Sequence, residues 1–298
     1  MAAKAHLNPD GSMNFDDDGN FILPGSSAID PTMTPLAGDM SAYGQAEQLY
    51  LQEPGDANRI SMNDINQGAW GDCYLLSAID TFIRKGPQFI SNMIKQNADG
   101  TMTVKLYEDR TTHAPITAMS KSFEAVYERV DPKLLQAGGV NTTFAGAAAS
   151  GNVKEIWPQV VEQAYAQLNG GTQAIANGGF ASIAMATMSG ITGHERDGGN
   201  VNSNMISAPS LNFSMLQRLI NYNCTIAFDT LSFGNLAPGL ISNHGYAYNG
   251  CTVAGPNGAD TTINLVNPWG PAYGGPTVVA LKDVAQNFSM IEVGHASA

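Results

Sequence analysis

The chain has 298 residues, 43% of them hydrophobic and only 13% charged, with a formal net charge of −12. That length allows a sizeable core, while the net charge is acidic and the longest basic run is Arg84-Lys85, which argues against nucleic acid and disfavours anionic membrane surfaces as partners. Three cysteines (Cys73, Cys224, Cys251) with no CxxC pair make neither a disulfide framework nor a zinc ribbon, and no apolar run is long enough to insert in a membrane.

Residues 1–44 are rich in Gly, Pro, Asp and Met without a period, and read as an N-terminal tail or pro-segment. Asp16-Asp17-Asp18 lack the continuing oxygen spacing of a calcium loop. This stretch also lacks the apolar core of a secretory signal, so the cytoplasm is the expected compartment, with export by a signal that is not cleaved as the alternative.

A helix is predicted after Asp72, a capping residue type. Leu75, Leu76, Ile79, Phe82 and Ile83 recur at helical spacing, and Arg84, Lys85 and Gly86-Pro87 close the helix. A strand is predicted at Thr101–Tyr107 after the turn Asp99-Gly100. A second helix is predicted in "EIWPQVVEQAYAQLNGG", with Pro158 in its first turn and Trp157, Val161, Ala164, Tyr165 and Leu168 on one face. Past residue 190 the texture turns to short β runs, "CTIAFDT", "HGYAYNGCTVAG", "TTINLVNPWG" and "TVVAL", preceded by one helix, "LNFSMLQRLINY". The first half therefore reads as mainly helical and the second as mainly β.

Cys73 opens the first helix. Backbone N–H groups and the helix dipole favour an anion there, and thiolate is the nucleophilic form of cysteine. A thiol nucleophile needs a base, a group that orients the base, and donors for an oxyanion. His244 opens a β run, and Asn267 follows 23 residues later at the end of another, fixed by Pro268. Gln67 lies six residues before Cys73 on the turn into the helix, where its amide could join the Cys73 N–H as an oxyanion donor. His6, His113 and His295 have no evident partner, "HERDGG" at His194 lacks the second histidine of a zinc helix, and Cys224 and Cys251 read as core residues of strands.

At these residues the chain resembles the calpain-type thiol proteases. "QGAWGDCYLL" looks like their catalytic-cysteine motif, "HGYAYNG" their histidine segment, and "INLVNPWG" their Asn-Pro-Trp-Gly segment, with the long helix in its expected place between the first two. The resemblance runs from about Asp64 to the C-terminus. It implies an α+β, papain-like two-lobe cysteine protease core. A helical lobe, residues 45–190, would carry Cys73, and a β-barrel-like lobe, residues 191–298, would carry His244 and Asn267. It further implies Cys73 as nucleophile, His244 as general base and acid, Asn267 as the group orienting His244, Gln67 in the oxyanion hole, and Trp269 shielding the Asn–His bond from water. The activity implied is endopeptidase hydrolysis of protein or peptide substrates, with no required cofactor. The oligomeric state is not legible.

Calcium enters through the same resemblance. Asp64 matches an acidic calcium ligand of the family's first lobe, and Glu155 or Glu162 would supply a second carboxylate. The second-lobe loop "PAYGGP" has no carboxylate, so the family's site there is expected to be absent, and calcium dependence is expected to be weak. The β-sandwich and EF-hand-like domains of animal calpains are not expected in this chain. Tyr74 stands where the family usually has Trp. Two rival readings remain: a catalytically silent calpain-like binding module, and an acyl transferase of transglutaminase type.

Overall fold

A computed structural model of the chain describes residues 46–52, 57–68, 70–132, 149–150, 153–191, 201–273 and 277–296. The tail 1–44 with Asp16-Asp17-Asp18, as well as His6 and His194, lie outside the described residues. The strands in chain order are β1 (Ala46–Gln48), β2 (Ile94–Gln96), β3 (Met102–Asp109), β4 (Phe123–Val130), β5 (Ala149–Ser150), β6 (Val153–Glu155), β7 (Met205–Ser207), β8 (Cys224–Thr230), β9 (Gly245–Thr252), β10 (Thr262–Val266), β11 (Thr277–Ala280) and β12 (Phe288–His295). The α-helices are α1 (Cys73–Lys85), α2 (Gln88–Met93), α3 (Trp157–Leu168), α4 (Thr172–Ile175), α5 (Ala181–Ser189), α6 (Phe213–Asn221) and α7 (Val284–Asn287).

The central helix α1 forms where the apolar spacing predicts it. Leu75, Leu76, Ile79 and Phe82 are fully buried, each worth roughly 1.5–3 kcal/mol against exposure. Arg84 and Lys85 sit in its last turn, as the predicted stop requires. Trp157 at the start of α3 is fully buried, and its indole N–H donates to Asp64 Oδ2 at 3.1 Å, which meets the need of a buried Trp for a partner. These residues belong to the core of the first lobe.

That lobe is not purely helical. The antiparallel sheet β2–β3–β4 and the small sheet β1–β6–β5 belong to it, a correction to the sequence reading. Of these strands only β3 is predicted. Along β4, residues Phe123 to Glu128 are all half-buried, so no two-residue alternation marks it. Helix α5 is likewise unpredicted. Apart from Ile183 it is buried on every side, so its sequence "ASIAMATMS" has no polar stripe from which to read a period.

The second lobe is one antiparallel sheet in the order β11–β10–β9–β8–β12–β7, built on a separate apolar core. It matches the β runs of the sequence closely, and α7 with β12 forms the C-terminal helix and strand. Helix α1 packs against β8 and β9, so the start of α1 faces the sheet. No helix among the described residues is long and apolar enough to cross a membrane.

Candidate active site

The sheet register sets His244 beside Asn267. Val266 on β10 pairs with Ala247 on β9. Continued past the strand ends, that register puts His244 and Tyr246 on the same face as Asn267 and Trp269. His244 Nε2 and Asn267 Oδ1 are 2.8 Å apart. The Trp269 backbone N–H donates to the same Oδ1 at 2.9 Å. A backbone N–H can only donate, so the shared atom is the amide oxygen, and His244 must carry its proton on Nε2. Nδ1 is thereby left as the basic nitrogen.

Aromatic rings close around the imidazole. Trp269 lies 5.0 Å from it, tilted by 56°, and Tyr246 lies 5.1 Å away edge-on. Tyr273 packs edge-on against Trp269 in turn, with centroids 5.3 Å apart. Gly270 makes the turn after Trp269 at φ +92°, and a Cβ there would lie 2.0 Å from Asn66 Oδ1. His244 is buried, and burial lowers its pKa below the usual 6.5, the Asn267 bond only partly offsetting this.

Cys73 is half-buried at the start of α1, and its Sγ accepts from the Gly245 backbone N–H at 3.4 Å. The residue after His244 thus touches the Cys73 sulfur. Here the structure corrects one expectation. The helix start does not favour thiolate overall, because burial raises the thiol pKa above 9.0, and the Asp229 and Asp72 carboxylates add to the rise. The Gly245 and Tyr74 N–H groups act the other way and lose. Burial thus disfavours the charged form of both side chains.

Gln67 is tied to both lobes. Its backbone N–H donates to Pro268 O at 2.8 Å, and its side-chain amide donates to Trp70 O at 2.7 Å and Asp72 Oδ1 at 3.3 Å. Both amide hydrogens are therefore engaged in the free site. Asp72 holds the N-cap position of α1 but makes no side-chain cap, contrary to the sequence expectation. Its buried carboxyl bonds Gln67 and Glu162 instead, and burial raises its pKa to about 6.

The calcium candidates are each engaged by protein. Asp64 accepts from Ser61 Oγ and Ser61 N, both at 2.7 Å, and from Trp157. Glu162 bonds Asp72, and Glu155 Oε1 accepts from Leu51 N at 2.7 Å. Among the described residues, the group that brings three acidic or histidine ligand atoms together is Glu108, His113 and Glu124, which includes none of them. Asp64, Glu155 and Glu162 thus each spend carboxylate oxygens on protein partners.

Two features escaped the sequence reading. One is Asp229, a carboxyl on β8 near the thiol, whose signal was an acid inside the apolar run "CTIAFDT". The other is the partnership of His113 with Glu108 and Glu124. Cys224 is buried beside His295, and Cys251 is partly buried against the second core, as core residues of strands should be.

Comparison with known proteins agrees with this architecture. A family profile described as calpain family cysteine protease matches residues 51–277. The chain is 27% identical to calpain clp-1 of Caenorhabditis elegans over 70% of its own length and 25% of the relative's. It is 27% identical to a calpain of Schistosoma mansoni, covering 74% of this chain and 27% of that one, and 27% identical to calpain-9 of Mus musculus, covering 72% and 29%. The chain thus spans about a quarter of the length of the curated relatives it matches.

Proposed function

The chain belongs to the calpain family of cysteine proteases, and from that premise we propose that it is an endopeptidase working through Cys73, His244 and Asn267. The observation that carries the proposal is the 2.8 Å bond from His244 Nε2–H to Asn267 Oδ1. It leaves the other ring nitrogen basic, while the residue next to His244 touches the Cys73 sulfur.

An extended peptide enters the cleft between the lobes. His244 Nδ1 takes the thiol proton as the sulfur attacks the scissile carbonyl, so the neutral pair becomes charged only as the bond forms. The Cys73 N–H and one hydrogen of the Gln67 amide meet the oxyanion. Gln67 gives up its longer bond, the one to Asp72, to do so. The imidazolium then protonates the leaving amine. Water adds to the thioester with His244 as base, and the carboxylic acid leaves as the thiol is restored. Asn267 keeps the ring in its tautomer throughout, and Trp269 keeps water from their bond.

An orienting amide supports hydrolysis over acyl transfer of transglutaminase type, a class that usually orients its histidine with Asp. Active-site titration with an electrophilic peptidyl epoxide tests the reading. One equivalent should be consumed with loss of casein hydrolysis, and the label should map to Cys73. Full casein hydrolysis after stoichiometric labelling of Cys73, or a label mapping elsewhere with loss of activity, would sink it.

A further inference from the structure

His244 stands one residue outside β9, beyond the last register pair of the two strands, Asp229 with Gly245. Asn243 before it is left-handed at φ +53°, a conformation that a residue other than glycine keeps only where its surroundings hold it. The holding groups come from the end of β8. Thr230, the last residue of that strand, is buried. The His244 N–H donates to Thr230 Oγ1 at 2.9 Å, and the Thr230 N–H donates to His244 O at 3.0 Å. A hydroxyl has one proton to give, and Ile241 O at 2.7 Å lies nearer to it than His244 O at 3.1 Å. The Ile241 N–H donates in turn to Tyr246 OH at 2.9 Å, and the Tyr246 ring stands edge-on to the imidazole. The Asn243 N–H donates to Leu231 O at 3.0 Å.

Both backbone groups of His244 therefore end on one residue. Valine at 230 would match threonine in size and branching and so suit the strand equally well. It would leave the His244 N–H without its partner and Ile241 O without the hydroxyl, in a buried turn where an unmade hydrogen bond is costly. The turn then has reason to shift, and two groups ride on it. One is the imidazole, whose Nε2–H meets Asn267 Oδ1. The other is Gly245, whose N–H meets Cys73 Sγ. We propose that Thr230 is a positioning residue, whose hydroxyl fixes the His244 backbone and, through it, both the imidazole against Asn267 and the Gly245 N–H against the sulfur. The inference deepens the protease reading and rests on it. Thr230 takes no proton in the mechanism. It acts by keeping the reacting groups in line, so its loss should slow the chemical step and leave peptide binding nearly unchanged.

The test compares Thr230→Val with Thr230→Ser, which keeps the hydroxyl. Steady-state hydrolysis of fluorescein-labelled casein is measured well below the Tm of each variant. The downfield imidazole N–H of His244 is followed by proton NMR, with its absence from His244→Ala as the assignment. Thr230→Val should lower kcat at least about tenfold with KM within about twofold, while Thr230→Ser should keep kcat within about threefold. The imidazole signal should broaden through exchange with water in Thr230→Val and stay sharp in Thr230→Ser. If Thr230→Val does not fold, Thr230→Cys takes its place, since a thiol donates and accepts only weakly at the same position. A residue that serves stability alone would lower Tm and move neither readout. Wild-type kcat with an intact imidazole signal in folded Thr230→Val, or equal impairment of Thr230→Ser, overturns the inference. Loss of hydrolysis in Thr230→Val with the imidazole signal intact overturns it too and leaves the protease reading standing. Broadening in Thr230→Val alone, in a protein whose wild type hydrolyses no casein, would uphold the hold on His244 while defeating the protease reading.

Discussion

The first lobe holds Cys73 by packing, and the second holds His244 and Asn267 by hydrogen bonds. Cys73 begins a helix in which Tyr74 through Ile83 are all buried, so the sulfur's position follows from a core of Leu, Ile and Phe side chains. His244 and Asn267 lie just outside β9 and β10, and their geometry follows from strand register and from the Trp269 N–H. Packing fixes where an atom sits but leaves its proton free. A hydrogen bond with one possible donor fixes the proton as well. In the proposed mechanism the nucleophile can therefore come from a helix, whereas the base needs a partner that dictates its tautomer.

Removing the sulfur or the base should have the largest effect. Cys73→Ala and His244→Ala are each expected to lower kcat/KM by at least about a thousandfold without loss of fold, and the double variant should be little worse than either. Casein hydrolysis and circular dichroism check this, and a Cys73→Ala protein of wild-type activity would end the proposal.

Asn267→Ala probes the hydrogen-bonded half alone. Activity should fall by about a hundredfold or less, because the ring is misplaced but not removed. The pH profile carries a sharper signature. His244 must be unprotonated to act, and its folded pKa lies below 6.5, so kcat/KM should rise with pH through an inflection below 6.5 and hold until the thiol ionises above 9.0. Losing the Asn267 bond removes the one influence that raises the His244 pKa, so the acidic limb should move to lower pH. An upward move would contradict the assigned role. Stability follows the same sign. The unfolded chain binds this proton more readily than the native one, so the contribution is present above pH 6.5 and fades as pH falls through that value.

Gly270→Ala tests the turn that carries the orienting group. It combines a left-handed backbone with a contact to Asn66, and should cost roughly 1–3 kcal/mol from the backbone strain, read as a lowered Tm with reduced activity. A stable, fully active variant would show that the turn has room to shift. The smallest effect is expected from chelation. With Asp64 and Glu162 engaged by protein groups, EGTA should lower activity by less than about tenfold, a coupling below roughly 1.4 kcal/mol. Loss in EGTA with recovery in calcium would reverse that expectation.

The same contrast explains what could be read in advance. Helices α1, α3 and α6 show one apolar face each, and strands β8 to β11 are marked off by turn residues, so both were legible. Helix α5 and strand β4 were not, because burial on nearly all sides or half-burial on both erases the period. The catalytic candidates were legible because each stands at an element boundary next to Gly, Asp or Pro. Their charge state was not. It depends first on burial, which raises the Cys73 thiol pKa and lowers that of His244, and burial comes only with tertiary packing.

The Gln67 backbone bond to Pro268 joins the arm that carries the oxyanion donor to the turn that carries Asn267 and Trp269. Under the proposed mechanism, a ligand that breaks this bond withdraws the Gln67 amide and slackens the support of His244 in a single event. Inhibition by wedging should therefore be abrupt with ligand size, switching off within a small opening of the cleft, in contrast to the gradual loss expected where the two supports yield separately.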